Sequence, residues 1–207
     1  MRSRGVAVCV SIIALIGCQP AGVDPVRSGE TPQKKAEVLE QNAAAGSGGA
    51  APSASQIIEK DEAQAVDPIG KEPLDDTITC LARTIYWEAR GEGATGMEAV
   101  ANVVMNRLGH EGFPNTICKV VMQGREQGSC QFSWWCDGRS DDAKDDESYA
   151  IAKEIARTAL NLQLTDRTGG ALYFHQRRSR PGWAREYVKT AEVAGFVFYR
   201  PRGGEAK

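Results

Sequence analysis

"DDTITCLARTIYWEARGEG", residues 75–93, runs from a capped helix start into a glycine-bounded turn, with an acidic side chain near the junction. Ile78, Leu81 and Ile85 recur at helical steps, and Trp87 extends the apolar set. Asp76 or Thr77 is the N-cap candidate; Gly91 and Gly93 end the helix. Glu88 follows Tyr86 and Trp87 directly and stands in the last turn. The negative end of the helix dipole disfavours a carboxylate there, and burial beside the aromatics would raise its pKa further. A carboxylic acid kept protonated near neutrality can serve as a general acid. The plainer alternative is a surface glutamate paired with Arg83 or Arg90.

Working outward, the pattern stays helical and then changes period. "TGMEAVANVVMNRLG" (95–109) reads as a second helix, with Thr95 and Glu98 as a capping box and Val100, Val103, Val104 and Leu108 facing inward. "FPNTICKVVMQG" (113–124) reads as a loop and a short helix. "DDESYAIAKEIARTALNL" (145–162) is a third helix, with Ile151, Ile155, Ala159 and Leu162 on one face. "GGALYFH" (169–175) and "FVFYR" (196–200) are strand-like, and "AEVAGFVFYR" predicts a hairpin turning at Ala194-Gly195. The fold class is therefore α+β, helices first and a small antiparallel sheet late.

All 14 aromatic residues lie between Tyr86 and Tyr199. Residues 19–76 have none, carry 5 basic and 11 acidic side chains, and include "AAAGSGGAAPSAS" (43–55). Such a composition predicts a disordered tether, with at most a transient helix in "QKKAEVLEQNAAA" (33–45). Before it, "MRSR" and "GVAVCVSIIALIG" supply the charged and apolar regions of a signal peptide, ending in "LIGC". Small residues before a cysteine at that place resemble the lipobox of bacterial lipoproteins, which implies lipidation of Cys18 and a membrane partner through the lipid. Gln19 after the cysteine implies the periplasmic face of the outer membrane. The expected organisation is signal peptide 1–17, tether 18–76 and one catalytic domain, 77–207, acting as a monomer.

The whole chain has 25 basic and 27 acidic residues, a balance that argues against a nucleic-acid partner. Four cysteines follow the signal: Cys80, Cys118, Cys130 and Cys136. Behind a secretion signal an even number predicts disulfides. A bridge from Cys130 to Cys136 would close the short loop "QFSWW", leaving Cys80 with Cys118. A zinc site is the rival reading, disfavoured by spacings that are not C-x₂-C.

Five segments in order, "IYWEARGEG", "GMEAVANVVMNR", "FPNTICKVV", "CQFSWWCDG" and "GALYFH…W…FVFYR", resemble the SleB-type cell-wall hydrolases, the family of spore-cortex-lytic enzymes. The resemblance covers essentially residues 80–200. It implies a lysozyme-like α+β fold, peptidoglycan as partner, and cleavage between N-acetylmuramic acid and N-acetylglucosamine by lytic transglycosylation. The glutamate of the family's "Y-x-E-A-R-G-E" motif falls on Glu88, the implied catalytic acid. That reaction needs one carboxyl group and no metal or other cofactor. An N-acetylmuramoyl-L-alanine amidase, the first alternative, needs about three zinc ligands, and the chain has only His110 and His175 as histidines. The second alternative, a non-catalytic peptidoglycan-binding lipoprotein, would have no use for the acid.

Around Glu88 the candidate substrate contacts are Tyr86, Gln131, Phe132, Ser133, Tyr173 and His175. Aromatic faces with amide and hydroxyl groups suit a glycan groove. Strand alternation sets Tyr173 and His175 on one face, opposite Leu172 and Phe174. The spore enzymes commonly carry Asn where this chain has His175. Arg90 and Glu92 are supporting candidates, Glu92 as a second carboxylate one helical turn beyond Glu88 if the glycines leave the helix intact.

Overall fold

The computed structural model describes residues 30–46 and 51–203. Six helices, α1 (Pro32–Ala44), α2 (Lys60–Ala65), α3 (Thr77–Ala89), α4 (Gly93–Arg107), α5 (Ile117–Val121) and α6 (Asp146–Leu160), precede three strands, β1 (Tyr173–Gln176), β2 (Val188–Val193) and β3 (Phe196–Arg200). The class is α+β in the expected order.

Helix α3 is the axis of the molecule. Its residues from Thr77 to Tyr86 are all buried, because α1, α4, α5 and α6 pack around it. A helix apolar on most sides needs such a sheath. Asp76 caps it, accepting hydrogen bonds from the Ile78 and Thr79 N–H groups at 2.9 and 3.0 Å. The Cys80–Cys118 disulfide ties α3 to α5 with a Cα separation of 5.3 Å. The second disulfide, Cys130–Cys136, closes the expected loop.

The sheet has the order β1-β3-β2, antiparallel throughout, with Phe174 opposite Phe198 and β3 buried from Phe196 to Tyr199. Ala194, at a positive φ of 48°, turns the expected hairpin with Gly195.

Three expectations change. Helix α4 begins at Gly93, two residues before Thr95, because Gly93 takes a φ of +68° and redirects the chain at once. On α6 the buried face is Tyr149, Ala152, Ile155, Ala156, Ala159 and Leu160, while Ile151 and Leu162 are exposed. The small alanines allow close approach to α3, so the stripe of largest residues misidentifies the inner face.

The third correction concerns the tether: its described part is folded onto the domain. Ala36, Leu39, Ile58 and Val66 are buried in the common core. Charged residues of this stretch act as buried partners. Glu40 Oε2 accepts the Ile117 N–H at 2.7 Å, supplying the start of α5 with a cap from a distant helix. Asp67 pairs with Arg83. Composition counted these charges as solvated, and the missing aromatics were replaced by small aliphatics. The signal peptide, Cys18 and the tether up to residue 29 lie outside the described residues.

Candidate active site

Glu88 is the penultimate residue of α3, where the sheath opens. Two residues apart on a helix means about 200° of rotation, so Tyr86 points into the core while Glu88 faces outward. Two cavities meet at Glu88. The first, of about 690 Å³, is lined also by Arg107, Gln131, Tyr173, His175 and Trp183. The second, of about 420 Å³, is lined by Arg90, Ser133, Asp137, Arg139 and Lys144. Glu88 and Gln176 line both, so they stand on the ridge between two halves of one groove.

Loss of solvent raises the Glu88 carboxyl from 4.5 to about 7, against an opposing pull from the Arg107 charge. The acid therefore holds its proton near neutrality but can release it. Arg107 is itself pushed down to about 10 by burial, with Tyr173 and Glu88 acting the other way, and stays cationic at neutral pH.

The first cavity has an aromatic wall. Tyr173 packs against Tyr187 at 4.7 Å and Trp183 at 6.1 Å between ring centroids. Strand β1 orients Tyr173 and His175 to this side, while Phe174 packs inward against Phe132, Phe196 and Phe198. The His175 ring stacks on Tyr199, and its Nε2 lies 3.0 Å from the Tyr199 hydroxyl.

Of the expected site residues, Gln131, Tyr173 and His175 come to the first cavity, Ser133 and Arg90 to the second. Two expected substrate contacts are corrected. Tyr86 is fully buried; its hydroxyl accepts the Lys144 N–H at 2.9 Å and the Asp145 N–H at 3.2 Å, and binds Arg90 Nη1 at 2.7 Å. Phe132 is 1 % exposed and belongs to the core, because the loop that presents Gln131 and Ser133 outward turns the residue between them inward. Glu92 does not share a face with Glu88. The helix ends at Ala89, and the Glu92 carboxyl lies against Gly195, where any Cβ would collide with it. Arg90 stacks its guanidinium over Trp87 at 4.6 Å.

Sequence reasoning missed Arg107, Gln176, Ser179, Trp183 and Tyr187 as lining residues. Arg107 carried a signal: Val100, Val103, Val104 and Arg107 follow the i, i+3, i+4, i+7 stripe, which sets an arginine on the buried face of α4. Gln176 and Ser179 lie at and beyond the end of β1, where no periodicity applies.

Among known proteins, the cell wall hydrolase family description matches residues 91–199, more than half of the chain. The spore cortex-lytic enzyme of Halalkalibacterium halodurans is 34% identical over 127 residues, 60% of this chain and 34% of that protein. The spore cortex-lytic enzyme of Bacillus cereus is 32% identical over 117 residues, 54% of this chain and 40% of that protein. The chain thus spans well under half the length of these relatives. Among solved structures, the catalytic domain of the germination-specific lytic transglycosylase SleB from Bacillus anthracis aligns with 27% identity and a TM-score of 0.48, over 60% of this chain and 93% of that one.

Proposed function

The chain belongs to the cell wall hydrolase family, and on that premise we propose that it cleaves peptidoglycan glycan strands as a lytic transglycosylase, with Glu88 as its single acid and base. The family match begins at Gly91, so the role of Glu88 rests on geometry and on the motif around it. The observation that carries it is one carboxylic acid, its proton held to about 7, on the ridge shared by two cavities. A strand lying along the groove would present the bond between its sugars at that ridge.

In the proposed reaction Glu88 gives its proton to the glycosidic oxygen between N-acetylmuramic acid and N-acetylglucosamine. The C1–O bond breaks, and positive charge builds on the muramic ring. The Glu88 carboxylate then takes the proton of the C6 hydroxyl of the same ring, whose oxygen bonds to C1. The product is a 1,6-anhydro sugar; no water is consumed, and Glu88 ends protonated. Tyr173, Trp183 and Tyr187 offer apolar faces to one sugar, with Gln131 and His175 supplying polar contacts.

"LIGC" supports processing and lipidation at Cys18, and Gln19 after it supports the periplasmic face of the outer membrane. The stretch from Cys18 to the first described residue, Glu30, then reaches at most roughly 40 Å, which keeps the domain close to its anchor.

Digestion of purified sacculi followed by mass spectrometry tests the reaction. Anhydro-muropeptides are the expected product. Reducing-end muropeptides would mean hydrolysis by water, and free stem peptides would mean amidase chemistry; either overturns the transglycosylase assignment.

A further inference from the structure

Two buried arginines among the described residues are treated in opposite ways. Arg83 is 1 % exposed and its Nη2 lies 2.7 Å from Asp67 Oδ2. Arg107 is 3 % exposed, yet none of the ion pairs among the described residues includes it. Its Nε donates to the Leu172 carbonyl at 2.7 Å, while Nη1 is buried with no partner. The rings of Phe132, Phe113 and Tyr173 surround its guanidinium at 5.1, 5.3 and 5.6 Å. A buried cation without a counter-ion is costly and persists where its field is used. The acidic side chain that lines the same cavity is Glu88.

We propose that Arg107 is a positioning residue, a fixed positive charge that stabilises the Glu88 carboxylate created by proton transfer. The proposal rests on Glu88 being the catalytic acid. While Glu88 holds its proton the carboxyl is neutral and gains little from the arginine. Once the proton has moved to the leaving oxygen, a carboxylate faces a cation in a poorly solvated cavity, where the attraction is strong. The interaction is realised as the reaction proceeds, so it lowers the barrier and not merely the energy of the bound substrate.

Spacing is the second half of the argument. Hydrogen bonds from the Glu72 N–H, Tyr149 and Arg83 hold the Asp67 carboxyl below its ordinary value despite burial. Contact of that kind would leave Glu88 without a proton to give. With Arg107 outside ion-pair contact, Glu88 remains an acid before the first transfer and a usable base for the second.

The other charged or titratable groups facing Glu88 are few. From β1 come Tyr173 and His175, and beside β2 stands Tyr187. Across the ridge lie Arg90, Asp137, Arg139 and Lys144; Arg139 and Asp137 approach each other at 3.9 Å with the arginine largely exposed. These exposed charges are screened by water, whereas Arg107 is not.

The test uses the full chain with Arg107→Gln, Arg107→Lys and Glu88→Gln. With Arg107→Gln the basic limb of the kcat profile should move up by about one pH unit. kcat below that limb should fall by about tenfold to a hundredfold with KM little changed. Arg107→Lys, which keeps the charge, should recover most of both. Carboxyl ¹³C NMR of Glu88, assigned by its loss in Glu88→Gln, gives the same shift in resting protein without any turnover. An unmoved Glu88 titration in Arg107→Gln overturns the proposal whatever the activity. A raised KM with kcat and limb unchanged makes Arg107 a substrate contact instead and also overturns it. Should Arg107→Gln fail to fold, Arg107→Met, which also removes the charge, carries the same comparison, and an unmoved Glu88 titration there is equally fatal. If the wild type released no anhydro-muropeptides, the functional reading would fail while the NMR titration still judged the charge effect.

Discussion

Asp67 and Arg83 form an ion pair with both side chains almost wholly buried, 2.7 Å from Oδ2 to Nη2, and the Tyr149 hydroxyl donates to the same oxygen at 2.6 Å. The pair joins the segment before α3 to α3 itself, and Arg83 Nη1 reaches on to the Asp141 carbonyl at 2.5 Å. One buried cluster therefore locks the N-terminal stretch, the central helix and the loop beside the second cavity together. Removing one partner leaves a buried charge uncompensated, which costs about 3–5 kcal/mol. Asp67→Ala should lower unfolding stability by that amount in urea titration. A chain truncated to begin near Pro73 loses Glu40 as well as Asp67 and should be less stable still. Equal stability of full-length and truncated chains would mean that residues 30–72 only rest on the domain.

Tyr86 was expected at the substrate and is found under the α6 entry, accepting two backbone N–H groups. Tyr86→Phe leaves the Lys144 and Asp145 N–H groups short of an acceptor. The expected loss is about 1–3 kcal/mol of stability, with KM for glycan strands unchanged. A raised KM at unchanged stability would return Tyr86 to the groove.

What the sequence made legible followed from periodicity and from special residues. The helix that carries Glu88, the hairpin at Ala194-Gly195 and the Cys130–Cys136 bridge are local features, and local patterns carry them; Cys80 with Cys118 followed once the short loop was closed. Glu88 was legible as a candidate because its helix-end position and aromatic neighbours are written in one short stretch. The folded state of residues 30–76 was not, because its stability comes from long-range pairings such as Glu40 with Ile117 and Ile58 with Asn161. No local pattern encodes a capping residue 77 positions away. Phe132 and Tyr86 were misassigned for a related reason: aromatic content marks a groove or a core equally well, and only the third dimension separates them.

The two disulfides should differ in weight. Cys80 and Cys118 are 38 positions apart, Cys130 and Cys136 only 6. In the chain-entropy account the longer loop is worth about 4 kcal/mol and the shorter about 2 kcal/mol. Double Ser variants of each pair, compared by thermal melts, should rank that way. Loss of the Cys130–Cys136 bridge should also raise KM, because it holds the loop that carries Gln131 and Ser133 to the two cavities.

Glu88 also makes stability depend on pH. Its carboxyl stands at about 7 in the folded protein against 4.5 as its ordinary value, raised by loss of solvent. Between those values the folded state binds the extra proton, so stability falls as pH rises through the window. The full effect is on the order of 3 kcal/mol. Glu88→Gln has no proton to lose there. Relative to wild type, it should gain stability between pH 4.5 and pH 7.5, and the gain should level off above. A constant difference across that range would show that Glu88 is not desolvated.

The same substitution decides the chemistry. Gln keeps the size of the Glu88 side chain and its hydrogen bonding but cannot transfer a proton. General acid–base catalysis contributes about 10²- to 10⁴-fold, so Glu88→Gln should show a loss of that order on purified sacculi while remaining folded. Glu92 is the natural control, four positions on and of the same residue type. Its carboxyl lies against Gly195 in the hairpin turn and lines neither cavity described at Glu88. Glu92→Gln should therefore cost less than about tenfold, through slight repacking of the hairpin on α4. Rates are to be compared at matched circular dichroism, so that a folding defect is not read as a chemical one. If Glu92→Gln is the inactive variant and Glu88→Gln keeps its rate, the acid lies at the start of α4, and the groove must be redrawn around the hairpin.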